Sequence, residues 1–105
     1  MNPYFNLRYS NSKIVIDYYV SKFISGVYRS AGITYTLKNL KEAKEYILNF
    51  IKPSSPENKI IIKSRLRSRI GKSASKYSQI EKSNLEEITN FLNEKQKNIT
   101  FKLAT

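Results

Sequence analysis

The sequence predicts a small α+β domain, an antiparallel sheet carrying two amphipathic helices. Three observations carry that expectation. Two segments place apolar residues at helical spacing behind capping signals, much of the rest alternates β-branched and aromatic residues, and the length suits one modest core. The chain has 105 residues, which points to a single domain over 1–105. A hydrophobic content of 40% with 12% aromatic residues is enough to bury a core and argues against wholesale disorder.

Residues 4–10, YFNLRYS, alternate and are rich in strand formers. NSK then supplies a turn, and residues 13–20, KIVIDYYV, are β-branched and aromatic, so the pair predicts a hairpin. Ile16, Val20, Phe23 and Val27 also fall at helical spacing, but the dominance of Val, Ile and Tyr and the interruption at Gly26 favour strands. Residues 26–37 continue as extended chain, with a break expected at SAG (30–32) and alternation again through Ile33, Tyr35 and Leu37.

The first helix is the clearest element. Asn39 is a good N-cap and Glu42 completes a capping-box-like pair. Leu40, Ala43, Ile47, Phe50 and Ile51 then form one stripe, and Pro53 ends it. PSSPEN (53–58) is the linker. After the basic stretch discussed below, Ser83 and Glu86 predict a second capping box. NLEEITNFLNEKQK is the second helix, burying Leu85, Ile88, Phe91 and Leu92. Asn98 breaks it, and ITFKLA (99–104) closes the chain as a strand.

The two halves resemble each other. SKIVI (12–16) parallels NKIII (58–62), and NLKEAKEYIL (39–48) parallels NLEEITNFLN (84–93). A duplicated β-β-α unit would give half-repeats 12–52 and 58–97 joined by the 53–58 linker; chance similarity is the competing explanation.

Charge is the second theme. The net charge is +11, and it is unevenly placed. Residues 58–80 hold seven Lys/Arg and no Asp/Glu, whereas the remainder holds twelve basic and eight acidic residues. Such a local field attracts polyanions: nucleic acid first, an anionic membrane surface second, an acidic protein third.

Within KIIIKSRLRSRIGKSASK (59–76) two readings compete. As a strand over 59–70, alternation sends Ile60, Ile62, Ser64, Leu66, Ser68 and Ile70 to one face and Ile61, Lys63, Arg65, Arg67 and Arg69 to the other. Cations about 7 Å apart on one strand face roughly match phosphate spacing along a nucleic-acid strand, and the Arg fork takes two phosphate oxygens at once. Beyond Gly71, residues 72–76 become a basic turn. This reading, the favoured one, nominates Lys63, Arg65, Arg67, Arg69, Lys72 and Lys76 as nucleic-acid contacts, joined by Arg29 and Tyr77. Tyr9, Tyr18, Tyr19, Tyr28 and Tyr35 could stack on bases if they share that surface, although core packing is their default role.

As a helix, Ser55 would be the N-cap, Pro56 would occupy the first helical position and Gly71 would follow the end. Ile62, Leu66 and Ile70 then share a face. On that reading RIGKSASKYSQI (69–80) resembles the helix-turn-helix of partition-protein and repressor families. The resemblance implies Gly71 as the turn glycine and residues 73–80 as the recognition helix. It covers about a fifth of the chain and departs at Arg67, where a small residue is expected, and at Lys72, where an apolar one is usual. YRSAGITYTLKNLKEAKEYI (28–47) in turn resembles the last strand and helix of the three-stranded AP2 and integrase arm-type DNA-binding domains, which read the major groove with a sheet. Both resemblances imply DNA, but they are mutually incompatible and assign no family.

Several classes are excluded or disfavoured. With no Cys and no His, the chain has no disulfides, thiol nucleophiles, usual zinc sites or histidine acid–base chemistry. Glu42/Glu45 and Glu86/Glu87 are expected in first helical turns. Asp17, alone in an apolar strand, is expected as a hairpin-edge charge or the partner of a nearby Lys. No carboxylate cluster for a metal-dependent nuclease is visible, and GKS (71–73) lacks the upstream glycine of a phosphate loop, so no cofactor or metal is expected. The N-terminus lacks a signal-peptide pattern, and no apolar run nears the roughly 18 residues needed to span a bilayer. An intracellular location, cytoplasmic or nucleoid-associated, follows as the default.

The function expected from sequence is thus a small, non-enzymatic nucleic-acid-binding protein, with DNA favoured over RNA. One alternative is a mobile-element or viral accessory or inhibitor protein docking on an acidic protein partner. A second is a metal-independent small RNase. Exposed first and last strands are candidates for pairing in a homodimer.

Overall fold

Alternation near the N-terminus becomes strand β1 (Tyr4–Ser10), which lies inside the sheet. The computed structural model describes residues 3–24, 27–51, 59–66 and 77–104, with backbone alone described over 20–24 and 27–33. Asn11 and Ser12, with φ of 49° and 70°, turn the chain into β2 (Lys13–Ile24). Two consecutive positive φ values mark the primed two-residue turn whose twist suits a hairpin. The register runs from Tyr4↔Tyr19 to Ser10↔Lys13, bearing out the predicted hairpin. β3 (Val27–Leu37) pairs with β2 along its whole length. The break expected at residues 30–32 is therefore absent: Ser30, Ala31 and Gly32 stay in register with Ser21, Val20 and Tyr19. Pairing along the ladder outweighs the weak strand propensity of those small residues.

Helix α1 (Leu40–Phe50) starts where the sequence placed it. The Asn39 side chain accepts the Glu42 N–H at 2.9 Å. Glu42 reaches back to accept the Lys38 N–H at 3.1 Å, one residue before the usual capping-box partner. Ala43 and Ile47 are fully buried. Pro53 and the 53–58 linker lie outside the described residues.

β4 (Lys59–Lys63) then runs parallel to β1, and β6 (Thr100–Leu103) runs parallel to β4. Between them come β5 (Tyr77–Gln79), antiparallel to the second half of β1, and α2 (Lys82–Lys95). The sheet order is β3-β2-β1-β4-β6, with β5 paired to β1 beyond the end of β4. The result is an α+β fold, six strands in a mixed, largely antiparallel sheet with two helices.

Cross-strand partners share a face, and the register divides the sheet cleanly. Phe5, Leu7, Ile14, Ile16, Ile60, Ile62 and Phe101 point to one side and are buried there with Ala43, Ile47, Leu85, Ile88 and Leu92 from the helices. Both helices cover this side, and Lys44 of α1 bonds Glu87 of α2 at 2.6 Å across their junction.

Several sequence expectations need correction. The second helix begins at Lys82, not behind a Ser83 cap, and the capping position belongs to Glu81, whose carbonyl accepts the N–H groups of Asn84 and Leu85 at 3.0 Å each. Glu86 and Glu87 consequently lie beyond the first turn, which holds no acidic residue. The helical reading of the basic stretch fails at β4, and a recognition helix over 73–80 fails at β5. The strand reading holds for Lys59–Lys63 with Ile60 and Ile62 buried, but Ser64, Arg65 and Leu66 leave the ladder. The first strand is not exposed for dimer pairing, because β1 has partners on both sides. The last strand is an edge, yet its Phe101 main chain is occupied at 2.7 and 2.9 Å by the Asn93 side-chain amide.

Truncating Ile62, fully buried where β4 meets β1, is expected to cost about 2–5 kcal/mol as Ile62→Ala. Asn39→Ala, which removes only a cap, is expected to cost about 1 kcal/mol. Urea unfolding monitored by circular dichroism measures both, and equal losses would contradict this account.

Candidate nucleic-acid interface

The sheet face turned away from the helices is chemically distinct. Counting outward from the Asn11–Ser12 turn, the register puts Ser10, Arg8, Asn6 and Tyr4 of β1 on this side, with Lys13, Val15, Asp17 and Tyr19 of β2 beside them. The same alternation adds Lys59, Ile61 and Lys63 from β4 and Thr100 and Lys102 from β6. Lys13 and Lys102 are exposed, and Lys59 and Lys63 are half-buried.

Asn6 fixes the exit of the basic segment. Its side-chain amide donates to the Arg65 carbonyl at 3.0 Å and accepts the Arg65 N–H at 2.7 Å. A side chain thus replaces the next rung of the ladder once β4 has ended, and the Arg65 side chain is left exposed. The far flank is fixed as well: Ser10 pairs with Tyr77, Tyr9 with Ser78 and Arg8 with Gln79. Ser64 joins the two flanks, its hydroxyl accepting the Ile80 N–H at 2.9 Å and its carbonyl accepting from Gln79 at 3.2 Å. Both ends of the basic segment are therefore held against β1.

Asp17 is 2% exposed and sits in an interior strand, so it is not a hairpin-edge charge. Its partner is Arg8 rather than a lysine: the guanidinium Nη1 forms a salt bridge with Oδ2, while the Thr34 hydroxyl donates to Oδ1 at 2.7 Å. Two partners satisfy the carboxylate that burial would otherwise penalise. The same guanidinium lies 4.5 Å from the Tyr77 ring centroid.

Near the other end of β1, Tyr4 and Tyr19 stack with centroids 5.1 Å apart. The Lys63 ammonium stands 3.7 Å from the Tyr4 ring centroid. Burial lowers the Lys63 pKa from its ordinary value, and the neighbouring Arg65 charge lowers it further. Arg65 and Lys63 thus share one electropositive spot.

The nominated residues are distributed as follows. By register Lys63 and Tyr77 lie on the open face, and Arg65 follows where the chain leaves the ladder beside Asn6. Arg29 lies in β3, in register with Lys22, and its side chain is outside the described part. Arg67, Arg69, Lys72 and Lys76, with Gly71, lie outside the described residues. Of the tyrosines considered for stacking, Tyr19 alone is described on the open face. Tyr9 and Tyr18 pack on the core side, Tyr35 stacks on Tyr46 of α1 at 4.5 Å, and the Tyr28 side chain is not described. Tyr4, Asn6 and Arg8 were missed, although a two-residue turn alone would have aligned them with Tyr19, Asp17 and Val15.

The chain matches no known protein family, and no curated protein or solved structure matches it significantly. Among the described residues no three or more Asp or Glu gather to hold a metal ion. No described helix is long and apolar enough to cross a membrane.

The described glutamates lie elsewhere, in the helix layer. Glu42 and Glu45 belong to α1, while Glu81 caps α2 and Glu86, Glu87 and Glu94 lie within it. Tyr9 donates its hydroxyl to Glu81 at 2.7 Å, tying the start of α2 to β1. That bond, followed by backbone and Asn84 hydrogen bonds, holds the Glu81 carboxyl below its ordinary value. The same bond is the main cause raising the Tyr9 hydroxyl, with burial and the Glu81 charge adding to it.

Asp17→Ala, leaving the Arg8 guanidinium unpaired, is expected to destabilise the fold by about 3 kcal/mol, at the lower end of the range for breaking a buried pair because Arg8 is partly exposed; chemical unfolding reads this directly. A depressed carboxyl pKa contributes stability that is full above the unfolded value and lost as pH falls through the folded one. Stability measured in urea should therefore decline as pH drops below 4.5, and Tyr9→Phe should flatten that decline. An unchanged acid limb in Tyr9→Phe would remove the Tyr9–Glu81 bond as its cause.

Proposed function

We propose that this protein binds nucleic acid without acting on it, through phosphate contacts made by the open sheet face and by the basic segment whose two described ends, at Ser64–Arg65 and Tyr77–Gln79, are fixed to β1. One observation carries the reading. The helix-free face holds Lys13, Lys59, Lys63 and Lys102, with Arg65 beside Lys63, and its one described carboxylate, Asp17, is buried and bonded to Arg8. The described glutamates belong to α1, α2 and its cap, the layer that covers the other side. The helix layer mixes those glutamates with Lys41, Lys44, Lys82 and Lys95, so the unopposed positive charge lies on the helix-free side, the side that would face a polyanion.

The sequence adds Arg67, Arg69, Lys72 and Lys76 to this field, between two flanks that are both fastened to β1. Phosphate neutralisation by several such cations releases condensed counterions, so affinity falls steeply with salt. An acidic protein would be attracted by the same field, but it releases no condensed counterions and lacks the regular charge spacing that gives this slope.

A filter-binding titration against a short oligonucleotide is expected to give a log affinity falling linearly with log salt, by roughly 0.7–0.9 per phosphate engaged. Replacing Lys63 and Arg65 together by Ala should shallow that slope by about one to two. A flat salt dependence would sink the reading. So would a protein partner that survives nuclease treatment while no oligonucleotide is retained.

A further inference from the structure

The open face carries more than charge. Tyr4 and Tyr19 form a half-buried stack, Lys63 lies against Tyr4, and Tyr77 carries the Arg8 guanidinium further along β1. Tyr4 and Arg8 are four residues apart on one strand face, about 13 Å by strand geometry. Tyr4 is sandwiched between Tyr19 and the Lys63 ammonium, whereas the cross-strand partner of Tyr19 on β3 is Gly32, which has no side chain. From this arrangement we infer that the nucleic acid this face takes is single-stranded, with an unpaired base stacking on Tyr19, backed by Tyr4, and the phosphates held by Lys63, Arg65 and Lys102.

The inference rests on the nucleic-acid reading above and sharpens it. Charge alone is indifferent to strandedness, since duplex and single strand both present phosphates. Aromatic rings are not indifferent: bases inside a duplex already stack on one another, whereas a splayed single strand offers free π faces. The helix-free side of a sheet leaves aromatic rings beside a cationic row, the combination that sequence-tolerant single-strand binders use. The register supports this geometry. Tyr19, Tyr4, Ile61 and Lys102 lie in one row across β2, β1, β4 and β6, so an aromatic pair and a cation stand on one line perpendicular to the strands. Core formation does not account for the pair, because both rings lie opposite the buried cluster.

The test compares a ten-nucleotide oligothymidine with a duplex of matched length by fluorescence anisotropy at fixed salt. Tighter binding to the single strand is expected, and Tyr4→Leu or Tyr19→Leu should each weaken it about tenfold or more while changing duplex affinity little. Because the chain has no Trp, Tyr19→Trp supplies a reporter whose emission should be quenched by oligothymidine, and Tyr4→Phe should retain affinity. Thermal melts of all four variants establish that they fold. Preference for the duplex, or single-strand binding indifferent to both Leu substitutions in folded protein, overturns the stacking inference and leaves the charge reading standing. Failure of the unaltered protein to bind either oligonucleotide overturns both.

Discussion

Everything in this fold depends on β1 being a strand with two different sides and partners along both edges. Its inward residues Phe5 and Leu7 are fully buried, whereas its outward residues Tyr4, Asn6 and Arg8 are polar or amphipathic. A one-residue slip against β2 would carry Arg8 and Asn6 into the core and expose the apolar set. Register here is therefore fixed by burial as well as by the two-residue turn. The same strand supports β4 along its first half and β5 along its second, so β4, β5 and, through β4, β6 join the hairpin only by way of β1.

That central position explains why the outward side needs so many specific hydrogen bonds. Asn6 is 8% exposed and Asp17 2%, and each would carry a desolvation penalty if left unpaired. Asn6 is satisfied by the Arg65 main chain, and Asp17 by Arg8 and Thr34. The Asn6 bonds join β1 to a segment far away in sequence and fasten the start of the basic run, while the Asp17 bonds tie the consecutive strands β1, β2 and β3 together. Structure and charge display are thus coupled: the groups that complete the sheet also fix where the cations leave it.

Much of this was legible in the sequence. The hairpin, the capped first helix and the apolar stripes rest on signals a few residues long, and each appears where its pattern placed it. The failures share a different origin. Ser83 has the better local capping chemistry, but Tyr9, far away in sequence, engages Glu81 and the helix starts there. Tyr77–Gln79 is three residues long and has no strand pattern of its own; pairing with β1 makes it a strand. At residues 30–32 small side chains suggested an interruption, and a continuous ladder with β2 overruled it. Long-range partners decided each case, and no window along the sequence contains them. Arg8 and Tyr4 are the exception, since their partners follow by counting from the turn.

The two kinds of group on the open face would play separable parts under the proposed reading. Cations act over about a Debye length, near 8–10 Å in physiological salt, so they govern encounter and lose strength as salt rises. Ring stacking acts only at contact and is far less sensitive to ionic strength. A face of lysines alone would release its ligand almost completely in high salt. On that reading, with Tyr4 and Tyr19 beside Lys63, residual affinity at high salt would belong to the rings, and the steep part of the titration to the ammonium and guanidinium groups. Those groups lie on alternate residues of one short strand and the neighbours its register selects, so under the proposed reading the outward half of β1 would set the chemistry of binding as directly as its inward half sets the core.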